Sequence, residues 1–301
     1  MSTAGLAIRL SGSELKMLQA LVYQECGMYF DERRMDFLQN RLQGRLKECR
    51  AESFYSYYSL LVSADGRQEL ARLLEDLTVN ETSFFRNLPQ LDLFHKHILA
   101  DILREKQEQG NTTLRIWSAG CSTGQEPYTL AMLVADQLAY HCLRQPSSIA
   151  AVLPRPLIPP PWRVEILASD VNYSVLRAGQ EGMYAEHQMG PVDYSCRLRY
   201  FDKVGERYAV KQSVKELVHF DFHNLKTQFL PPDNDVIFCR NVMMYFDEAE
   251  QKRLVEKFRR CLNPGGYLFL GHAESLRGLN DQFVMLHRNH GTAYQRLEEA
   301  R

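Results

Sequence analysis

Polar residues follow several apolar segments that have the character of buried strands. The run Val236–Cys239 is continuously apolar and is followed directly by Arg240 and Asn241. Such a run is typical of a central parallel strand whose sheet is covered by helices on both faces. In sheets of this kind, ligands bind beyond the carboxyl ends of the strands. We therefore expect Arg240 and Asn241 to line a binding site.

Two other predicted strands end in groups that suit an adenosine-containing ligand. Leu114–Ser118 leads into a turn with Gly120 and Gly124, and Val164–Ser169 is followed by Asp170. A glycine turn allows the backbone to approach a ligand closely, and an acid at the end of the second strand suits the two hydroxyls of a ribose. A nicotinamide cofactor is disfavoured because SAGCSTG is not G-x-G-x-x-G. Taken alone, the turn equally fits an ordinary tight strand-to-helix connection.

The elements that must position these residues alternate along the chain after about residue 112. This alternation predicts a doubly wound, mostly parallel sheet in an α/β domain. A strand at Val218–Phe222 leads to Asn224 and Leu225, and a helix at Glu248–Leu262 ends at the sequence NPGG. Further strands are predicted at Tyr267–Leu270, Phe283–Leu286 and Ala293–Leu297.

The chain before residue 80 is predicted to be helical. Ser11 and Glu14 have the spacing of a capping box, and apolar residues then recur at helical intervals. The expected organisation is an all-helical N-terminal domain at 1–78, a linker at 79–91 that contributes to the cofactor site, and the α/β domain at 92–301. We expect a small β subdomain at about 190–217.

Composition limits the classes of function. The chain has 36 basic and 37 acidic residues, so no overall charge surplus points to nucleic acid. The N-terminus lacks the apolar core of a signal peptide, and no run approaches the roughly 18 apolar residues of a membrane span. Seven cysteines without a C-x-x-C pair favour a reducing compartment. We predict a cytoplasmic monomer without membrane insertion. His95 and His97 lack further ligands at suitable spacing, so no metal is expected.

Six dispersed segments resemble the chemoreceptor glutamate methyltransferases, the CheR family, in the family's order. They are NETSFFRN at 80–87, SAGCSTGQEPYTLAM at 118–132, ILASDVNYSVLRAGQEGMY at 166–184, FDFHNL at 220–225, DVIFCRNVMMYFD at 235–247 and GGYLFLGHAESL at 265–276. The resemblance implies S-adenosylmethionine (SAM) as methyl donor, with S-adenosylhomocysteine (SAH) as its product. It also implies a Rossmann-like methyltransferase sheet, and methyl esterification of glutamates on the cytoplasmic helices of methyl-accepting chemoreceptors.

The resemblance also implies roles for individual residues. The segment containing Asn80, Thr82 and Arg86 closes over the cofactor, with Arg86 near the methyl-transfer centre. Glu126 meets the charged methionine part, Asp170 the ribose, and Asn224 with Leu225 the adenine. Tyr245 points toward the incoming carboxylate. The cofactor-binding set implied by the resemblance is Asn80, Thr82, Arg86, Glu126, Asp170, Asn224, Leu225, Arg240 and Asn241.

The residue types agree with this chemistry. A glutamate with a pKa of about 4.3 is ionised at neutral pH, so its attack on a sulfonium methyl needs no general base. The site must instead hold the reacting atoms in line. Arg86 and Tyr245 are therefore interpreted as orienting groups and not as acid or base, because arginine is permanently protonated.

Each of these residues also has an ordinary structural interpretation. Arg86 suits a surface or interdomain ion pair, Asp170 a cap of the following helix, and Glu126 a complement to a helix dipole. Tyr245 suits packing in a core. Cys239 ends a buried strand and is interpreted as a small apolar filler without a role in the reaction.

A basic stripe in the first domain is a candidate for binding the substrate. Arg34, Arg41 and Arg45 are predicted to share a helix face that is distinct from the apolar one of Leu38, Leu42 and Leu46. Alone, such a stripe is typical of a solvated helix face. The resemblance implies that a basic helix of the first domain meets glutamate-rich receptor helices, so these three arginines are hypothesised to steer and seat the acidic substrate.

Two other functions stay open. A protein that senses SAM or SAH without turnover is disfavoured because Arg86 and Tyr245 are both present. A methyltransferase acting on a small acid is disfavoured because it needs no helical domain with a basic face. The chain also departs from the family at two places. Gln125 stands where an acid is common, and the segment 144–162, which holds half of the 12 prolines, is longer than expected for the family. The loop in 200–210 lacks the glycine-rich turn of members that dock a tethering peptide, which leaves tethering in doubt.

Overall fold

The computed structural model describes residues 10–143, 156–227 and 231–298. Most of the proline-rich segment therefore lies outside the described residues. The chain forms two compact units. One consists of Met1–Val79 with Tyr245–Glu250, and the other of Asn80–Met244 with Gln251–Arg301.

The first unit is helical. The Ser11 side chain accepts a hydrogen bond from the Glu14 amide and the Ser11 amide donates to Glu14, which confirms the capping box. The helices are α1 (Gly12–Cys26), α2 (Met35–Glu48), α3 (Phe54–Leu61) and α4 (Arg67–Leu77), with 3-10 turns at Glu32–Arg34 and Ala64–Gly66. Apolar residues from all four helices form one buried core, which includes Leu18, Val22, Leu38, Leu42, Leu46, Phe54, Tyr57, Leu73 and Leu77.

The prediction that Arg45 lies on an exposed basic face is wrong. Its side chain is 8% exposed and forms a two-pronged ion pair with Glu69, through Nε at 2.9 Å and Nη2 at 2.5 Å. Tyr57 donates a third hydrogen bond to the same carboxylate. The reason is the helix period: Arg45 follows Leu38 by seven residues and Leu42 by three, so it lies on the apolar stripe.

The second unit is an α/β domain with a seven-stranded sheet among its described residues. The strand order is β6-β2-β1-β7-β8-β10-β9; the first five strands are parallel, and β10 is antiparallel to both of its neighbours. The strands are β1 (Thr113–Ala119), β2 (Arg163–Asp170), β6 (Val218–Phe222), β7 (Asn234–Cys239), β8 (Leu262–Leu270), β9 (Phe283–Arg288) and β10 (Gly291–Arg296). All seven predicted strands, and the doubly wound fold, are confirmed.

A small antiparallel sheet completes the strands, in the order β3-β5-β4. It consists of β3 (Met183–Ala185), β4 (Phe201–Val204) and β5 (Arg207–Val210), so its first strand precedes the range 190–217 in which we expected the subdomain. From residue 80 onward the α-helices are α5 (Leu88–Leu93), α6 (Leu99–Glu108), α7 (Gln125–Leu143), α8 (Tyr173–Glu181), α9 (Tyr194–Tyr200), α10 (Gln212–Lys215) and α11 (Glu248–Cys261), with a π-helix at Phe94–Ile98.

The centre of the large sheet is buried on both faces. Every residue of β7 is buried, as its apolar run predicts. On one face Phe238 stacks on Phe269 with ring centroids 4.4 Å apart, and Phe94 packs edge-on against both. Trp117 of β1 packs against Phe258 of α11. This packing fixes the carboxyl ends of β1, β2, β6, β7 and β8 at one edge, where the predicted binding residues follow.

Candidate active site

The glycine turn after β1 brings the backbone close to the loop after β7. The amides of Gly120 and Cys121 both donate to the carbonyl of Ser169, at 2.8 and 2.9 Å. Gly120 has a φ of 81°, and a Cβ at this position would lie 2.4 Å from Cγ2 of Val242. A side chain is therefore excluded on steric and conformational grounds.

Asp170 holds the glycine turn through its carboxylate. Oδ2 accepts from the Ser122 amide at 2.9 Å, and Oδ1 accepts from the Asn172 amide at 3.0 Å. Ser122 in turn donates its hydroxyl to the carbonyl of Asn80 at 2.8 Å. Burial raises the pKa of Asp170, and hydrogen bonds from the backbone amides of Ser122, Asn172 and Val171 oppose this shift. Asn80, Ser122 and Asp170 are thus brought together at the end of β2.

A largely buried pair of opposite charges lies between β1 and β7. Oε1 of Glu126, in the first turn of α7, accepts from the Ser118 hydroxyl at 2.7 Å, and Oε2 lies 3.3 Å from Nη1 of Arg240. Burial raises the pKa of Glu126 and lowers that of Arg240, while their mutual attraction opposes both shifts. Among the described residues, the buried Nε of Arg240 has no hydrogen-bond partner.

The segment of Asn80, Thr82 and Arg86 is tied to this charge pair. Nη2 of Arg240 donates to the backbone carbonyl of Arg86 at 2.6 Å. The Arg86 guanidinium donates to the carbonyl of Glu81 at 2.9 Å, and Thr82 is half-buried. Phe84 anchors the segment in the core of the α/β unit by edge-on contacts with Tyr184 and Phe201.

Asn224 and Leu225 follow the strand beside Asp170. β6 pairs with β2 as far as Phe222 and Asp170. His223, the first residue after β6, donates its amide to the carbonyl of Asp170. Oδ1 of Asn224 accepts from the Lys226 amide at 3.0 Å, which forms a turn. The Lys257 ammonium, from α11, donates to three successive carbonyls of this loop, those of residues 225–227, at 2.9 to 3.2 Å.

Tyr245 belongs to the helical unit and not to the α/β unit. It is half-buried, and its ring packs on the helical core. The Arg34 guanidinium lies 4.8 Å from the Tyr245 ring centroid and also 4.8 Å from that of Phe30. Arg41 is exposed on α2 with its guanidinium over the Phe37 ring. Of the three predicted substrate-binding arginines, Arg34 and Arg41 thus stay candidates.

Sequence reasoning missed three residues that shape this edge of the sheet. Ser118 hydrogen bonds to Glu126, Ser122 joins Asp170 to Asn80, and the Glu274 carboxylate accepts from the amide of Asn241. Ser118 and Ser122 stand within the glycine-turn motif, so their position was a usable signal. Glu274 lies after β8, inside the segment GGYLFLGHAESL, but no spacing pattern within that segment indicated a role for it.

The chain matches two family models. Residues 80–292 match the model described as CheR methyltransferase, SAM binding domain, and residues 13–78 match CheR methyltransferase, all-alpha domain. The chain belongs to the CheR methyltransferase family. Its α/β unit is a SAM-binding methyltransferase domain, and the alternation of strands and helices led to the same fold class.

Curated relatives of this CheR methyltransferase span nearly its whole length. It is 31% identical to the chemotaxis protein methyltransferase of Borreliella burgdorferi over 93% of this chain and 94% of the relative. It is also 31% identical to that of Escherichia coli K12, over 92% and 90%. Magnesium protoporphyrin IX methyltransferase from Synechocystis PCC 6803 with bound SAM is 14% identical over 78% of this chain and 93% of that chain. The TM-score of this pair is 0.31.

The CheR methyltransferase site fits the chemical groups of SAM. The methionine part of SAM carries an ammonium and a carboxylate, and Glu126 beside Arg240 offers the complementary charges in that order. Nε of Arg240, which has no hydrogen-bond partner within the described part of the chain, is a donor suited to a carboxylate. Asp170 suits ribose hydroxyls, and Gly120 keeps the backbone accessible. In the described ranges, no helix is long and apolar enough to cross a membrane.

Proposed function

We propose that this CheR methyltransferase transfers a methyl group from SAM to glutamate carboxylates on the cytoplasmic helices of chemoreceptors, forming methyl esters. The observation that carries the proposal is that both domains match the family, one over 13–78 and the other over 80–292. The relatives bear the name chemotaxis protein methyltransferase. In this proposal the enzyme acts in the cytoplasm as a monomer.

The cofactor is held by the edge of the sheet in this proposal. Asp170 binds the ribose, Asn224 with Leu225 frames the adenine, and Glu126 with Arg240 binds the charged methionine part. When bound, SAM supplies a methyl group activated by its sulfonium. The remaining contacts are assigned to the loop after β7 and the segment that precedes α5, namely Asn241, Asn80, Thr82 and Arg86.

The protein's contribution to methyl transfer is orientation and exclusion of water. A glutamate substrate is already ionised at neutral pH, so no residue of the chain needs to remove a proton. Holding the carboxylate in line with the methyl group can supply about 7 to 11 kcal/mol. Arg86 and Tyr245 are assigned to orient the carboxylate, one by charge and the other by its hydroxyl. The Arg86 guanidinium already donates to the Glu81 carbonyl, so its contact with the substrate is a shared one.

Binding of the receptor helix that carries the substrate glutamate is assigned to Arg34 and Arg41. Arg45 has no part in it, because its guanidinium is committed to Glu69 inside the helical unit. Arg41 is exposed and offers a positive charge that attracts a glutamate-rich surface. Arg34 is half-buried and packs on Tyr245, so it serves to place the tyrosine as well as to attract the substrate.

The proposal is tested with SAM labelled in its methyl group and chemoreceptor-bearing membranes. Label that enters the receptor band and is released as methanol by base identifies a carboxyl methyl ester, since amine methyl groups resist base. Label that stays on a small acid would overturn the assignment of a protein substrate. Tight SAH binding without transfer to any acceptor would instead indicate a protein that senses the cofactor.

A further inference from the structure

Glu274 joins the two loops that follow β7 and β8. Oε2 accepts from the amide of Asn241 at 2.9 Å and from that of Gly271 at 2.6 Å, and Oε1 accepts from the amide of Met244 at 3.2 Å. The three amides belong to residues just beyond the ends of neighbouring parallel strands. One carboxylate therefore fixes two loops at the edge where the cofactor site lies.

Two features show that this arrangement is closely fitted. Asn241 has a φ of 60°, in the left-handed region, which asparagine adopts more readily than other non-glycine residues. A Cβ on Gly271 would lie 2.8 Å from the Asn241 amide nitrogen and 2.8 Å from Oε2 of Glu274, so only glycine leaves room for the carboxylate. The hydrogen bond from the Asn241 amide to Glu274 helps to hold the residue in this conformation.

We infer that Glu274 is a positioning residue for methyl transfer: it holds Asn241 and the loop that leads into Tyr245 in the conformation needed to bind SAM. This inference rests on the proposed function, in which Asn241 contacts the cofactor. Glu274 itself is assigned no contact with SAM. The charge of Glu274 also attracts the buried guanidinium of Arg240, which lies on the same loop as Asn241.

The variant Glu274→Gln separates this role from simple space filling. Glutamine has the same shape as glutamate, but an NH₂ group replaces one of the two carboxylate oxygens. Whichever way the amide is turned, its NH₂ group faces at least one backbone N–H that the carboxylate accepted: either the exposed amide of Met244, or the partly buried amides of Asn241 and Gly271. The remaining oxygen is neutral, so the hydrogen bonds that it still accepts are weaker than those to a carboxylate. The loop should therefore loosen although the volume is unchanged.

The experiment compares wild type, Glu274→Gln and the control Glu108→Gln, which makes the same chemical change at an exposed position on α6. In the ligand-free proteins, hydrogen exchange of peptides covering 240–245 and 271 should accelerate in Glu274→Gln alone. SAH affinity by calorimetry should fall about tenfold, as expected for the loss of one hydrogen bond to a charged group. The Michaelis constant for SAM should rise more than the turnover number falls.

Unchanged exchange and unchanged SAH affinity in a folded Glu274→Gln would overturn the inference. If that variant does not fold, Gly271→Ala tests the same contact from the other side and should show the same faster exchange and weaker binding; wild-type values for this variant would contradict the inference. Neither the hydrogen exchange of the ligand-free proteins nor the affinity for SAH needs a methyl acceptor. A wild-type protein that binds SAH but methylates no receptor would therefore refute the proposed function and leave the test of Glu274 intact.

Discussion

The Arg34 guanidinium lies over the ring of Tyr245, with 4.8 Å between its central carbon and the ring centroid. Tyr29 joins the two residues: its carbonyl accepts from Nη1 of Arg34 at 3.1 Å, and its amide donates to the carbonyl of Tyr245 at 2.8 Å. A residue proposed to attract the substrate therefore supports the residue proposed to orient it. Cation–π contacts of this kind are worth about 0.5 to 1 kcal/mol at exposed sites, and more when buried.

The first prediction is that Arg34 and Tyr245 act as a unit. Tyr245→Phe removes only the hydroxyl, so turnover should fall while SAH affinity holds. Arg34→Gln should also lower turnover, by roughly threefold or more, because the ring loses its support. If Arg34 acts through the hydroxyl, Arg34→Gln should have little further effect in the Tyr245→Phe background. Turnover numbers of the four proteins at saturating SAM provide the measurement.

Two results would contradict this prediction. Effects that multiply in the double variant would mean that Arg34 acts independently, for example on the substrate helix alone. An equal loss of turnover and SAH affinity in Tyr245→Phe would make the tyrosine a cofactor contact.

The second prediction concerns Asp170. Asp170→Ala should lower the affinity for SAH by about tenfold or more, because bonds from ribose hydroxyls to a carboxylate are worth about 1.5 to 3 kcal/mol. The carboxylate also holds the amides of Ser122 and Asn172, so the glycine turn should loosen as well. Calorimetry with SAH provides the test, with circular dichroism to verify folding. Asp221→Ala, at an exposed position on the neighbouring strand, is the control and should bind as wild type.

The sheet could be predicted from the sequence because central parallel strands are apolar throughout and end in polar residues. Arg240 and Asp170 were found by this change alone. The loop contacts could not be predicted in this way. Ser122 and Asn241 have positive φ angles, of 49° and 60°, although neither is glycine, and their amides point to carboxylates distant in sequence. No local pattern encodes such a pairing.

Arg45 shows a different limit of sequence reasoning. Counting charges placed it on a basic face, whereas its spacing from Leu38 and Leu42 placed it on the apolar one. The second pattern decided its position because Glu69, 24 residues further along the chain, supplies a buried partner. A partner on another helix is invisible to periodicity. Charge patterns alone therefore overestimate a binding face.

The third prediction is that Arg45 stabilises the helical unit and does not bind substrate. Arg45→Met should reduce the unit's stability by about 3 to 5 kcal/mol, because Glu69 would keep a buried charge without its partner. Hydrogen exchange of α2 and α4 reports this loss. Arg41→Met, on the exposed surface, should change it by less than about 0.5 kcal/mol. Equal effects of the two variants would contradict the assignment of Arg45.

The pH dependence of this ion pair has a definite sign. Burial alone would raise the pKa of Glu69, but hydrogen bonds from Arg45 and Tyr57 lower it below its usual 4.5. The lowered pKa therefore contributes stability that is present above pH 4.5 and is lost as the pH falls through the folded-state value. In Arg45→Met this contribution is removed, so the stability difference from wild type should be largest near neutral pH and shrink below pH 4.5. A constant difference across that range would contradict the coupling.

The last prediction concerns recognition of the receptor by α2. Arg41 and Lys47 are both exposed on this helix, but their spacing of six residues places them about 120° apart around its axis. If the face of Arg41 meets an acidic helix, Arg41→Glu should raise the Michaelis constant for receptor and flatten its salt dependence, since surface charges act on encounter and are screened by salt. Lys47→Glu changes the net charge equally and should have a smaller effect. SAH affinity should be unchanged in both. Equal effects of the two reversals would mean that net charge and not this face governs the encounter, and wild-type behaviour of Arg41→Glu across the salt series would place the substrate elsewhere.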